Sequence, residues 1–128
     1  MQAKRILVID DDDAIREVAQ VALELVGGME VLLAASGEAG LEVAKRERPD
    51  AILLDVMMPG IDGPSTFRRL QADPTTADIP VVLLTAKVQA ADSEAFKELG
   101  LAATLTKPFD PMTVASQVRH ALRWGEPG

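Results

Sequence analysis

Five short apolar runs punctuate the chain, at 6–9, 31–34, 51–54, 81–84 and, more weakly, 103–105. Each is nearly continuous rather than alternating, the pattern of strands covered on both faces. Between them, apolar residues recur at helical spacing. Ile15, Val18, Ala19, Ala22 and Val26 predict a first helix, ended by Gly27-Gly28. Ser36 is placed to cap a second helix, with Leu41 and Ala44 on its apolar face and Pro49 at its exit. Pro64 suits the first position of a third, with Phe67 and Leu70 behind it. Ala91, Ala95 and Leu99 form one face of a fourth, ended by Gly100. Asp110-Pro111 reads as the cap and first residue of a fifth, whose stripe is Val114, Val118, Ala121 and Leu122. Strands alternating with helices predict an α/β fold, a parallel sheet with helices on both faces and right-handed crossovers. Ligands of such sheets bind beyond the carboxyl ends of the strands, at the switch in strand order.

Composition narrows the chemistry. A chain of 128 residues with 48% hydrophobic residues suits one self-sufficient domain. It has no cysteine, which excludes disulfides, thiolate zinc sites and cysteine nucleophiles. Its one histidine, His120, excludes a His-cluster metal site. A formal net charge of -7 argues against direct binding to nucleic acid or an anionic membrane. Aromatic residues make up only 3%, which weakens any reading based on ring stacking. There is no signal-peptide pattern and no apolar run approaching the ~20 residues of a membrane span. A cytoplasmic location is the expectation.

The residues just past the strands are chemically specific. Asp10, Asp11, Asp12 and Asp13 follow the first strand, Asp55 follows the third, Thr85-Ala86 follow the fourth and Lys107-Pro108 follow the fifth. With the first, third, fourth and fifth strands contiguous, carboxylates, a hydroxyl and an ammonium converge at one edge. Like charges 4 Å apart repel by ~4 kcal/mol at an effective dielectric of 20. A hard divalent cation relieves that repulsion, and Mg²⁺ is usually held by one or two carboxylates with waters and phosphate oxygens. The set suits phosphoryl transfer to an aspartate, where positioning and charge neutralisation carry the reaction. Taken singly, each residue has a local reading. The acidic run can cap and charge-match the first helix, with Asp12 or Asp13 as the cap. Asp55 can start a loop, Thr85 can bond backbone and Lys107 can be solvated. Their joint placement, in order and each at a strand end, is what makes the signal specific.

These motifs, with the stretch Pro49-Asp50-Ala51-Ile52-Leu53-Leu54-Asp55-Val56-Met57-Met58-Pro59-Gly60 and Lys107-Pro108-Phe109, resemble the receiver domain of two-component response regulators. The resemblance runs from Arg5 to about Trp124. It implies a doubly wound, flavodoxin-like (βα)5 sandwich with a five-stranded parallel sheet of order 2-1-3-4-5. Asp55 would accept a phosphoryl group from a histidine kinase or a histidine phosphotransfer protein. Asp11 and Asp55 would ligate Mg²⁺ or Mn²⁺, with Asp10 nearby or acting through water and the Met57 carbonyl as a further ligand. Lys107, Thr85 and Ala86 would contact the phosphoryl group, and Lys107-Pro108 would be cis. The domain would catalyse only its own phosphorylation and hydrolysis. Phosphorylation would shift a two-state equilibrium, with Thr85 as a switch residue, at the face of the fourth helix, fifth strand and fifth helix. That face would engage a downstream effector protein or a second copy, the alternative being a monomer.

The chain departs from the family pattern at Thr104, the second switch position, where an aromatic residue is usual three places before the lysine. Met57 and Lys87 hold the positions that tune phosphoryl lifetime in the family. Residues 1–128 are expected to form one receiver with no output domain. Among other residues, His120 reads as surface, Arg68 and Arg69 as a solvated face, and Trp124 as a packing anchor. Phe67 and Phe96 read as packing residues, with the output surface the alternative for Phe96, and Phe109 as a cover for the Lys107-Pro108 turn. Other function classes are an aspartate phosphohydrolase of haloacid dehalogenase type, using Asp10, and a phosphorylation-independent interaction module. A flavodoxin-like redox carrier lacks its phosphate loop, and no P-loop is present.

Overall fold

The computed structural model describes residues 3–86 and 100–124. Five parallel strands, β1 (Arg5–Ile9), β2 (Glu30–Ala34), β3 (Ala51–Asp55), β4 (Val81–Thr85) and β5 (Ala103–Thr106), form one sheet. Its order is β2-β1-β3-β4-β5, as the resemblance implies. Every strand pair is parallel, so all five carboxyl ends lie at one edge. The helices are α1 (Asp13–Val21), α2 (Gly37–Glu47), α3 (Gly63–Ala72) and a C-terminal helix (Val114–Leu122). The predicted fourth helix, with Ala91, Ala95, Phe96 and Leu99, lies outside the described residues, as does Lys87.

The continuous apolar runs feed two cores by alternation. Ile6, Val8, Ala51, Leu53, Val82 and Leu84 face α1 and the C-terminal helix, packing on Ala19, Leu23, Val114 and Val118. Leu7, Ile9, Ile52, Leu54, Val81 and Leu83 face the other way, onto Ala44, Phe67 and Leu70. Trp124 packs against the first core, and the Lys4 ammonium lies 5.3 Å from its ring centroid. His120, Arg68 and Arg69 are exposed.

The helix termini follow side-chain chemistry closely. Ser36 caps α2 by accepting from the Ala39 amide at 3.1 Å. Asp12 caps α1, accepting from Ala14 and Ile15. Asp62 caps α3 through the Ser65 amide at 2.8 Å, so Gly63 is the first residue of the helix and Pro64 the second. Two further expectations shift. The Asp110 carboxylate accepts from the Met112 amide at 2.8 Å and closes a turn, while the regular helix starts at Val114, three residues after Pro111. The first apolar stripe also breaks, because α1 continues into a π-helical turn, Ala22–Val26. Across the wider turn Leu23 is buried in the core and Val26 is 42% exposed; Val18, in α1 before the turn, is exposed to the same degree. Gly28, at φ 65°, then ends the segment as expected.

Removing the α3 cap with Asp62→Ala is expected to cost about 1 kcal/mol in urea unfolding at neutral pH. Hydrogen bonding from Ser65 holds the Asp62 carboxyl below its usual value. Its contribution is therefore present above the unfolded-state pKa and is lost as pH falls through the lower folded value. Native chain and variant should converge in acid; a gap that widens there would refute the cap.

Candidate functional site

Alternation and register assemble the site. Ile9 pairs with Leu54 across β1 and β3, so Asp10, one step on, stands level with Asp55. Asp10 and Asp55 continue the same side of the sheet as Val8 and Leu53. Lys107 continues the parity of Ala103 and Leu105 from two strands away, beyond β4 and β5. The Lys107 Nζ meets Asp10 Oδ2 at 2.9 Å and Asp55 Oδ1 at 2.8 Å. Asp10 is wholly buried and Asp55 is 3% exposed. One ammonium thus serves two carboxylates withdrawn from water. Its backbone is held too, since the Lys107 amide donates to the Thr85 carbonyl at 2.7 Å. The Lys107-Pro108 bond is cis, as the resemblance implies.

Asp11 is exposed, and its carboxylate completes a cluster. One oxygen from each of Asp10, Asp11 and Asp55 lies within 4.8 Å of the others. Three negative charges against one ammonium leave roughly 3–4 kcal/mol of repulsion per pair at a dielectric near 20. All donors are hard oxygens, two of them on buried carboxylates, so the set fits a hard divalent cation. Burial pushes the Asp55 carboxyl above its usual value, and the Asp10 charge adds to the shift. Hydrogen bonds from Lys107 and from the Met57 amide pull the other way without reversing it. Burial opposes the Lys107 charge as well, but the hydrogen bonds and charges of Asp55 and Asp10 outweigh it, and the ammonium is held above its usual value.

The remaining expected residues surround this centre. Thr85 ends β4 one step beyond Leu84, the register partner of Asp55. Ala86 and Lys107 line an apolar groove with Ala14, Ile15, Val18, Pro108 and Phe109. The Met57 side chain is 76% exposed at the rim. Thr104 pairs with Leu83 in the interior of β5, away from the carboxylates, and is only partly buried.

Three supports escaped the motif reading. The Asp12 amide donates to Asp10 Oδ1 at 2.9 Å, a local turn that the Asp-x-Asp spacing foreshadows. Arg16 donates through Nη1 to the Asp10 carbonyl at 2.7 Å and pairs through Nη2 with Asp13, tying the acidic loop to α1. The Met57 amide reaches back to its own neighbour Asp55, which no side-chain pattern announces.

Similarity to known proteins covers the same residues. The family model for the response regulator receiver domain matches residues 6–119. The phosphate regulon transcriptional regulatory protein PhoB of Pseudomonas aeruginosa is 40% identical over 128 residues, which is 100% of this chain and 56% of PhoB. The DNA-binding dual master transcriptional regulator RpaA of Synechocystis sp. is 43% identical over 119 residues, 93% of this chain and 49% of RpaA. The chain spans about half the length of these curated relatives. The crystal structure of a putative response regulator from Chloroflexus aurantiacus superposes with a TM-score of 0.85 at 35% identity, covering 95% of this chain and 99% of that one.

Because the folded state raises the Asp55 pKa, ionising Asp55 costs stability. The cost is absent below the unfolded carboxyl pKa, grows through the window up to the raised folded value, and is complete above it. In EDTA at neutral pH, Asp55→Asn should therefore raise the thermal midpoint, with the gain shrinking in acid. Lys107→Ala should lower stability by about 3 kcal/mol, since it strands two buried carboxylates. Melts of both variants across pH check this; an Asn variant less stable than the native chain at neutral pH would contradict it.

Proposed function

The chain belongs to the response regulator receiver domain family, and from that membership and the geometry of its carboxylate edge we propose that Asp55 is the phosphoacceptor. The observation that carries the reading is the Lys107 ammonium set between Asp10 and Asp55 at 2.9 and 2.8 Å. A phosphohistidine on a histidine kinase or phosphotransfer protein is the proposed donor. The Asp55 carboxylate attacks phosphorus, the phosphorus–nitrogen bond breaks and the imidazole leaves. Lys107, already against Asp55 Oδ1, is placed to follow the phosphoryl oxygens as charge moves onto them. Thr85 and Ala86, at the end of β4, are assigned to hydrogen-bond and accommodate that group.

Asp10, Asp11, Asp55 and the Met57 carbonyl would hold Mg²⁺ or Mn²⁺. When bound, such a cation neutralises charge on the carboxylates and the incoming phosphoryl group. Asp10 is tied by Asp12 and Lys107, so its role is to shape the centre rather than to attack. Nothing in the site or in the similarities favours a haloacid dehalogenase-type reaction. The self-limited chemistry makes this a signalling module, and its own phosphorylation and hydrolysis are the only reactions assigned to it.

The switch is assigned to Thr85 and to the face of β5 and the C-terminal helix, the expected fourth helix lying outside the described residues. Thr104 lacks the ring that the family usually carries there, so either another side chain reports the shape change or the coupling is weaker. PhoB and RpaA are named as transcriptional regulators. We propose an output of that class, reached through a downstream effector protein or domain, with no DNA contact assigned to the receiver. No helix among the described residues is long and apolar enough to cross a membrane, and a cytoplasmic location is proposed.

Intact mass after incubation with acetyl phosphate tests the reading. The native chain should gain one phosphoryl group with Mg²⁺ and none in EDTA, and Asp55→Asn should gain none. Asp11→Ala should weaken Mg²⁺ binding roughly tenfold. A phosphoryl group found on Asp10, or retained in Asp55→Asn, would overturn the assignment.

A further inference from the structure

Position 63 is crowded by main chain. Gly63 opens α3, and a Cβ there would lie 2.5 Å from the Asp55 carbonyl oxygen, 2.8 Å from Val56 Cα and 3.2 Å from the Asp55 carbonyl carbon. No rotamer change relieves contacts with backbone atoms. Either the start of α3 or the peptide between Asp55 and Val56 must move. Gly63 is not among the glycines with positive φ, so the requirement is one of space alone.

Both partners are fixed. The Val56 amide donates to the Leu84 carbonyl at 3.0 Å, and the Val56 carbonyl accepts from the Gly63 amide at 2.9 Å. On the helix side, the Asp62 carbonyl accepts from the Thr66 hydroxyl at 2.8 Å. Phe67 and Leu70 anchor the next turns in the core. The threatened peptide directly follows Asp55 and leads into Met57, whose amide donates to the Asp55 carboxylate. A shift there displaces the carboxylate and the Met57 main chain together.

We propose that Gly63 is a positioning residue for the Asp55 centre. Its missing side chain lets α3 close on the Asp55–Val56 peptide, which sets where Asp55 and the Met57 main chain stand relative to Asp10 and Asp11. The inference rests on the reading of Asp55 as a Mg²⁺-dependent phosphoacceptor. It assigns to the start of α3 a part in the chemistry, beyond that of a covering helix.

The test compares the native chain with Gly63→Ala and Gly27→Ala. A Cβ at Gly27 would lie 2.7 Å from Ala115 Cβ and 2.7 Å from the Leu23 carbonyl oxygen, at the opposite edge of the sheet from Asp55. It therefore supplies comparable overpacking without touching the site. Thermal midpoint, Mg²⁺ affinity by calorimetry and the rate of mass gain from acetyl phosphate are read for each. Both variants should melt lower. Only Gly63→Ala should bind Mg²⁺ roughly tenfold more weakly and react roughly tenfold or more slowly at saturating Mg²⁺, as a displaced reacting group does. A folded Gly63→Ala with native affinity and rate overturns the inference, and so does an equal loss in Gly27→Ala. A native chain that neither binds Mg²⁺ nor gains mass instead refutes the underlying phosphoacceptor reading. If Gly63→Ala does not fold, hydrogen exchange on the native chain decides. Saturating Mg²⁺ should slow exchange of the Gly63 amide roughly threefold or more, and unchanged exchange with the cation bound overturns the proposal.

Discussion

A single ammonium holds two buried carboxylates at the carboxyl edge of the sheet, and much of the molecule is arranged to make that possible. Asp10 and Asp55 leave water because they extend strands buried on both faces. Isolated carboxylates in such a place would protonate or unfold the edge. Lys107 meets both. It comes from beyond β5, two strands away from β3, and reaches the acids only because every strand runs in the same direction. An antiparallel β5 would put its carboxyl end, and Lys107, at the far edge.

The balance at this edge is deliberately incomplete. Asp11 adds a third carboxylate within 4.8 Å of the others, and one lysine cannot neutralise three charges. Burial and the Asp10 charge hold the Asp55 pKa up in spite of Lys107. A fold selected only for stability would remove one of these acids, as natural functional sites commonly sacrifice stability for activity. In the proposed reading, the excess negative charge would draw a divalent cation to this edge, and that cation would offset the repulsion met by an incoming phosphoryl group. A phosphoryl group that bound one conformation better than another would supply the differential any population shift must draw on.

Backbone around the centre is stiffened from several directions. Arg16 and the Asp12 amide secure the loop after β1. The Met57 amide secures the Asp55 carboxylate, and α3 presses on the Asp55–Val56 peptide through a glycine. Beside this rigid centre lies an apolar groove along α1, from Ala14 and Ile15 to Pro108 and Phe109. The candidate site groups thus sit on strand ends and their first loop residues, where neighbouring hydrogen bonds fix them, next to this groove.

Strand positions and the four candidate residues at the carboxyl edge were legible in the chain because their signals are local. A continuous apolar run means a strand buried on both faces, and Asp10, Asp55, Thr85 and Lys107 stand at the ends of such runs. Caps were legible where a side chain precedes periodic apolar residues, as at Ser36. The π-helical turn at Ala22–Val26 was not, because its extra residue per turn changes which side chains are buried without changing composition. Within it Leu23 is buried and Val26 exposed. Asp110 misled because a turn and a helix start share the same Asp-Pro chemistry. Sequence by itself determined the element order, the chemistry at the strand ends and the family these imply. Only the tertiary structure decided that Lys107 bridges Asp10 and Asp55, that Asp55 resists ionisation, and that Gly63 must lack a side chain. Each of these depends on distances between segments far apart in the chain, or on main-chain atoms that carry no residue-specific signature.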